Sequence, residues 1–372
     1  MDHIENLLNI YGIHIFYIKI LFGLILSFLL TFFTIPTILK ISRRKNLMDE
    51  PGLRSSHLRK IPNLGGIAIF YSIGVCAPIF AYELFDQYRF LFASLVILLY
   101  IGVMDDIVVM RAYKKLIAQI IVSVIIVIGS DVRIRSLFGL FGIYELSYFL
   151  SVVFSIITFI ILINAFNLID GIDGLAGSYS VLASALFGFT YFKLNEYHYP
   201  LVILTLIIIG STLGFLYYNF SNYRMYKIFM GDTGSMLLGF LLAFTSICFI
   251  DIFIDRHQVD IPRYHLRSAP VIAVAILILP IVDTLNVIIV RLARKTSPFE
   301  ADKNHIHHKL LKLGLTHRRS TFYILIYYLF IVAVAYFFRL VNPNLLLLIV
   351  MGLGFIGAYL PDLIMRYTKS VK

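Results

Sequence analysis

Long, unbroken apolar runs alternate with short polar stretches along the whole chain. A helix needs about 20 apolar residues to cross a hydrocarbon core, and run after run comes close to that length. None shows the roughly ten-residue alternating segments of a transmembrane barrel, so each run must satisfy its own backbone hydrogen bonds as a helix. The pattern therefore predicts an all-α polytopic membrane helix bundle. Eleven spans are read, at about 18–41, 65–83, 89–104, 115–130, 146–163, 174–193, 199–219, 233–254, 269–291, 320–338 and 344–365.

An odd number of spans puts the termini on opposite sides of the bilayer. The first run lacks a basic leader and a small-residue cleavage site, and Arg43, Arg44 and Lys45 follow it. It reads as a retained span with the N-terminus outside and the C-terminus cytoplasmic, residues 1–14 lying along the interface. Charge supports this orientation: the loops placed inside carry 22 Lys and Arg, those outside carry 8. The same asymmetry accounts for most of the net charge of +11 without a nucleic-acid partner. At 60% hydrophobic and 14% charged residues the chain is not a soluble domain. Cys76 and Cys248 both fall inside predicted spans, so no disulfide framework is implied. Without an internal repeat or low-complexity tract, residues 1–372 read as one integral-membrane domain. Its cytoplasmic loops lie at about 42–64, 105–115, 164–173, 220–232 and 292–319, the last being the longest.

Every conspicuous polar cluster falls in one of these inside loops: DEPGLRSSHLRKIPNLGG (49–66), GVMDD (102–106), NAFNLIDGIDGLAG (164–177), FMGDTGS (229–235) and SPFEADKNHIHHKLL (297–311). Five segments far apart in sequence thus share one face, as a site built at the mouths of helices requires. Asn164, Asn167, Asp170 and Asp173 recur every third residue and share a stripe as far as the helix continues, offering oxygen donors for a hard cation such as Mg²⁺. A solvated turn with capping side chains is the alternative. Asp105 and Asp106 adjoin each other at the inner end of span three. Asp232, between Gly231 and Gly234 ahead of span eight, stands where a carboxylate, backbone amides and a helix N-terminus can meet a metal-bound phosphate. A plain capping aspartate is again the alternative. His305, His307 and His308, with Lys303, Lys309 and Lys312 nearby, suit phosphate better than zinc, since no cysteine accompanies them. Arg54, His57 and the turn from Pro62 to Gly66 extend the same anion-binding surface. Carboxylates for a metal, basic groups for anionic oxygens and helical walls for a lipid point to phosphate chemistry on a membrane substrate.

These motifs resemble those of the polyprenyl-phosphate N-acetylhexosamine-1-phosphate transferases. The resemblance runs through about 49–315: DEPxxRSSH, PxxGG, GVMDD followed by Lys115 and Gln119, NxxNLIDGIDGLAG, FMGDTGS, LPIVDT and SPFEADKNHIHH. The HIHH form is similar to the bacterial branch that initiates cell-envelope polysaccharides, and less so to the muramoyl-pentapeptide branch. One departure is Ser55, where many members carry a lysine.

The resemblance implies transfer of a sugar 1-phosphate, GlcNAc-1-phosphate first among them, from a UDP-sugar to undecaprenyl phosphate with release of UMP. It implies Mg²⁺, with Mn²⁺ as a substitute, at Asn167 and Asp232. Asp170 and Asp173 would position the nucleotide or the metal shell, and Asp105 and Asp106 would orient or deprotonate the lipid phosphate. Substrate would be bound by Asn164, by His305, His307 and His308, and by Arg54, His57 and Lys115. Asp283 lies about two turns inside span nine, where a carboxylate is functional by default and a helix-bundle hydrogen bond is the alternative. The implied setting is a multi-pass protein of the cytoplasmic membrane, among its lipids, with the active site on the cytoplasmic face; homodimerisation is left open. A cation- or proton-coupled transporter is the rival from another class, but it would place its ionisable groups near the bilayer midplane.

Overall fold

Side chains that are apolar on every face cannot be buried by a one-sided helix, so such segments either fill a core or face lipid. Both outcomes occur here. The computed structural model describes residues 15–48, 60–108, 110–194, 196–223, 225–254, 266–293, 295 and 305–370. In chain order the helices are α1 (Ile15–Arg44), α2 (Gly65–Phe80), the short α3 (Glu83–Gln87), α4 (Leu91–Val108) and α5 (Ala112–Val124), which runs on into a π-turn at Ile125–Gly129. There follow α6 (Tyr148–Ile169), α7 (Leu175–Lys193), α8 (Tyr199–Asn219), α9 (Gly231–Ile252), α10 (Ala269–Ile276), α11 (Ile278–Ala293), α12 (Ile306–Lys312), α13 (His317–Phe337) and α14 (Pro343–Ser370). Among the described residues, nine of these are long and apolar enough to cross a membrane, α2 is apolar but shorter, and α10 with α11 form one broken pair. The protein is an all-α multi-pass membrane protein.

Helix α9 is the axle of the bundle: 94% of its apolar window is buried, against 22% for α1 and for α14 at the rim. Phe33 on α1, Phe330 on α13 and Leu348 on α14 are exposed, as a lipid-facing surface demands. Helices α2 and α4 reach the axle through glycine. A methyl group on Gly66 would collide with the backbone of Thr233 and Gly234, and one on Gly102 with Thr233. Without a hydrophobic driving force between helices in lipid, small residues at crossings permit the contact that holds them together.

Two features depart from the sequence reading. The ninth span, expected to run unbroken over 269–291, is broken at Leu277, where α10 and α11 meet at 76°. Pro280 supplies the reason: it has no N–H to return to the carbonyl of Ile276, four residues back, and its ring clashes there. The second departure is an antiparallel hairpin, β1 (Ser136–Leu140) and β2 (Ile143–Glu145), between α5 and α6. Gly139 and Gly142 at its turn take positive φ, and Asn344 at the start of α14 accepts from the Phe141 N–H at 2.8 Å.

Candidate active site

The start of α9 is fixed by its neighbours in space. Residues 62–66 run beside 229–230, with Phe229 N–H donating to the Pro62 carbonyl at 2.8 Å, Gly65 N–H to Phe229 at 3.0 Å and Gly66 N–H to Met230 at 2.8 Å. The PxxGG motif is therefore a backbone splint for the FMGD motif. Asp106, at the end of α4, then caps α9. Its Oδ1 accepts from the Asp232 N–H at 2.8 Å, and its Oδ2 from the Thr233 N–H at 3.1 Å and the Thr233 hydroxyl at 2.6 Å. This corrects two expectations. The amides at the head of α9 are committed to a protein carboxylate rather than offered to phosphate, and both oxygens of Asp106 are engaged in that cap.

With α9 seated, the Asp232 side chain meets three other elements. Its Oδ1 accepts from Asn167 Nδ2 on α6 at 2.9 Å, and its Oδ2 pairs with the ammonium of Lys115 on α5. The same ammonium pairs with Asp105 on α4, whose other oxygen accepts from the Met110 N–H at 2.6 Å. Asn167 also donates to the Ser235 hydroxyl at 2.8 Å. Asn164, one turn deeper, exchanges hydrogen bonds with Gln119 at 2.6 and 3.3 Å, so its amide is already paired. Asp105, Lys115, Asn167 and Asp232 thus come together from four helices.

The expected stripe of Asn164, Asn167, Asp170 and Asp173 stops short, because α6 ends at Ile169. Asp170 and Asp173 sit in the following turn and have different surroundings. Among the described residues the Asp170 carboxylate has no hydrogen-bond or ion-pair partner; burial, then the charges of Asp232, Asp106 and Asp173, push it up to about 7. Asp173 is paired with Lys227 and, at 3.4 Å, with His317. Burial works to raise its pKa, but the hydrogen bonds with His317 and Lys227 hold it below the usual carboxylate value. Thr321 donates to the Asp173 carbonyl at 2.9 Å, and Asn219 accepts the Gly174 N–H at 2.6 Å while donating to Ile228 at 2.8 Å. Asp173 therefore latches the turn to α13 and to Lys227 in the segment ahead of α9. Lys227, His317, Thr321 and Asn219 went unnoticed in the sequence, where each is an ordinary polar residue near a helix end.

His305 immediately precedes α12, His307 and His308 lie on it, and Asp283 explains its placement. Asp283 is fully buried on α11, meets His305 Nδ1 at 2.7 Å through Oδ2 and accepts the Ile306 N–H at 2.8 Å through Oδ1. It accepts the first N–H of α12 and orients the first histidine, which is the helix-bundle hydrogen bond that the sequence left as one of two alternatives. His307 is buried against the Asp170 turn: a methyl on Gly171 would collide with its ring. Burial pushes its imidazole down to about 3, which keeps it neutral near pH 7, and among the described residues its Nε2 has no hydrogen-bond partner. His308 is the most open of the three, with its ring 4.3 Å from that of His307. Lys309 faces away, pairing with Asp362 on α14 at 2.7 Å. The three rings expected to bind substrate have three different environments. Arg54 and His57 lie outside the described residues, as do Ser55 and Lys303.

Comparison with known proteins decides the family. The chain is 33% identical over 306 residues to a probable undecaprenyl-phosphate N-acetylglucosaminyl 1-phosphate transferase of Bacillus subtilis, covering 82% of this chain and 80% of the relative. The chain belongs to glycosyl transferase family 4. The family model matches residues 88–250, which hold Asp105, Lys115, Asn167, Asp170 and Asp232. Further members similar to it are a decaprenyl-phosphate N-acetylglucosaminephosphotransferase of Mycobacterium leprae, 30% identical over 326 residues (83% and 80% of the two chains), and an undecaprenyl-phosphate alpha-N-acetylglucosaminyl 1-phosphate transferase of Salmonella typhi, 30% identical over 313 residues (79% and 78%).

For a glycosyl transferase of family 4 a divalent cation is a natural question, and the donor set is informative. Among the described residues no three acidic or histidine side chains converge on one point. Among the described residues, however, no basic group pairs with Asp170, and Asn167 has only its amide nitrogen engaged. One or two carboxylates with an amide oxygen suit Mg²⁺, which keeps several waters and takes substrate phosphates as further ligands. The residues present fit such an ion.

Proposed function

We propose that this protein transfers GlcNAc-1-phosphate from UDP-GlcNAc to undecaprenyl phosphate, releasing UMP and starting a cell-envelope polysaccharide. The observation that carries the reading is the convergence of Asp105, Lys115, Asn167 and Asp232 from four helix ends, with Asp170 beside them and without an ion pair among the described residues, in a chain similar to enzymes named for this transfer. An oxygen of the lipid phosphate attacks the β-phosphorus of the UDP-sugar. A new phosphorus–oxygen bond forms as the bond to the bridging oxygen of UMP breaks, and UMP leaves with that electron pair. A phosphate monoester has a second pKa of about 6, so the attacking oxygen is already largely anionic near neutrality. The chain's task is accordingly to gather anions and hold them in line rather than to remove a proton, and direct attack needs no aspartyl-phosphate.

Lys115 supplies a fixed positive charge between the two phosphates, and Asp105 with Asp232 holds its ammonium in place. Asp106 acts one step back, seating α9 so that Asp232 faces Asn167. Asn167, Asp170 and Asp232 would hold Mg²⁺ or Mn²⁺, whose positive charge would offset that of the diphosphate. His308, the least buried of the three histidines, would face a substrate oxygen, while His305 and His307 build the wall behind it. Arg54 and His57 would extend the anion surface from the first inner loop. An apolar cavity of about 350 Å³, lined by Ile278, Val282, Ile306, Leu310, Tyr328 and Leu360, lies beneath α12 and offers hydrocarbon a place beside the histidines.

The proposal includes the eleven-span topology, with α2 and the broken α10–α11 pair each counted as a span, the N-terminus outside and the site on the cytoplasmic face of the inner membrane. The muramoyl-pentapeptide transferase is the second reading, disfavoured by the names of the similar enzymes. A transporter is disfavoured by the clustering of the site carboxylates at helix ends, and Asp283, the deep one, is closed off by His305. The test is UMP release by the purified protein with undecaprenyl phosphate and a panel of UDP-sugars. Turnover with UDP-GlcNAc supports the proposal, and turnover with UDP-muramoyl-pentapeptide alone overturns it.

A further inference from the structure

The break between α10 and α11 leaves a carbonyl without its helical partner. Pro280 has no N–H for the oxygen of Ile276, and an orphaned carbonyl inside a membrane bundle is costly because no water replaces the lost donor. Two tyrosines from different helices supply that donor. Tyr179 on α7 gives its hydroxyl to Ile276 O at 2.7 Å, and Tyr328 on α13 gives its own at 3.0 Å. Both side chains are buried, and their rings lie 4.9 Å apart. The helices they come from are tied a second time at the site, where Asp173 just ahead of α7 is held by His317 and Thr321 at the head of α13.

The angle so fixed has consequences further along. Asp283 lies seven residues past Ile276, about 10 Å along the helix, so a change of about 10° in the bend would displace it by about 2 Å. Asp283 in turn holds His305 and the first N–H of α12, and α12 lays His307 against Gly171 in the Asp170 turn.

We propose that Tyr179 and Tyr328 are positioning residues: their hydroxyls, converging on the Ile276 carbonyl that Pro280 leaves free, set the angle of the broken span and thereby place Asp283 and the histidine helix over the Asp170 turn. Neither tyrosine touches a reacting atom. The activity part of this inference rests on the transferase reading; the angle itself does not.

The experiment labels the full chain with nitroxides at Leu292→Cys on α11 and Tyr217→Cys on α8, both exposed positions, the two native cysteines being buried. Distance distributions and UMP release are compared for the parent, Tyr179→Phe, Tyr328→Phe and the double variant. Tyr191→Phe serves as control, since its hydroxyl also meets a buried backbone carbonyl, that of Thr245, but in an unbroken helix. We expect a narrow distribution in the parent and the control, partial broadening in each single variant, and a broad or shifted one in the double. The double variant should lose turnover on the order of 100-fold, as misplacement by an ångström can cost, with KM for UDP-GlcNAc changed only a few-fold. A narrow distribution in the double variant overturns the proposal whether or not activity falls, and a broad one with full turnover overturns it too. If the double variant does not accumulate, the single variants decide: distributions no broader than that of Tyr191→Phe refute the clamp. A parent that releases no UMP from any UDP-sugar would instead refute the transferase reading, and the distances would still test the angle.

Discussion

The Asp106 carboxylate accepts the backbone N–H of Asp232 at 2.8 Å, so one acidic residue of the site holds another in place. Its neighbour Asp105 is turned to Lys115 instead. Adjacent in sequence, the two aspartates serve a cap and an ion pair, and the reaction should feel their loss differently.

Asp106→Asn keeps the shape but removes the negative charge that accepts from two amides and a hydroxyl at the head of α9. We expect it to lower stability by about 1–3 kcal/mol, because the amide that replaces one oxygen leaves a donor at the head of α9 without an acceptor, and to reduce turnover as α9 shifts. Asp105→Asn should leave thermal stability closer to the parent and act on turnover through Lys115. Thermal unfolding of the purified variants, read beside UMP release, checks this; equal loss of stability in both would remove the distinction.

His307 is buried and neutral, its pKa pushed down to about 3 from an ordinary 6.5. The unfolded chain therefore binds a proton that the folded chain refuses between those values, and folding stability must fall as pH drops through that window. His307→Gln, which has no charge to gain, should show a flatter fall in unfolding temperature between pH 6.5 and pH 4. Parallel curves for parent and variant would contradict the assignment.

Much of this site was legible before the fold was known, because the bilayer restricts the answer. Apolar runs of this length can cross only as helices, so the polar motifs between them are confined to helix ends, where Asp105, Lys115, Asn167 and Asp232 meet. What the sequence hid was pairing. Lys227 counted only as one basic residue of an inner loop and His317 drew no attention until the fold set both against Asp173. Asp106 read as half of a catalytic pair because a run of two aspartates does not reveal which faces a helix end. The broken span had a visible cause in Pro280, but an apolar run with one proline also describes a continuous, kinked helix; α1, α2 and α14 carry Pro36, Pro78 and Pro361 without breaking. The charged ends of Asp283 and His305 could be placed in spans and loops, yet their contact depends on the bend.

The imbalance of 22 inner to 8 outer basic residues makes the topology testable. A reporter fused after Lys372 should report cytoplasm, and one inserted within 255–268 should report the outside. The reverse pattern would put the site on the wrong face for a nucleotide donor.

The central claim is that Asp232 serves a cation-assisted phosphoryl transfer rather than the fold alone. The most direct measurement is UMP release against Mg²⁺ concentration for the parent and Asp232→Asn, with thermal unfolding of both as a check on folding. Electrostatic stabilisation of the transferring group carries most of such catalysis. The account predicts that the variant, folded like the parent, loses turnover by about two orders of magnitude or more and needs more Mg²⁺ for what remains. Superimposable curves for the two proteins would contradict it.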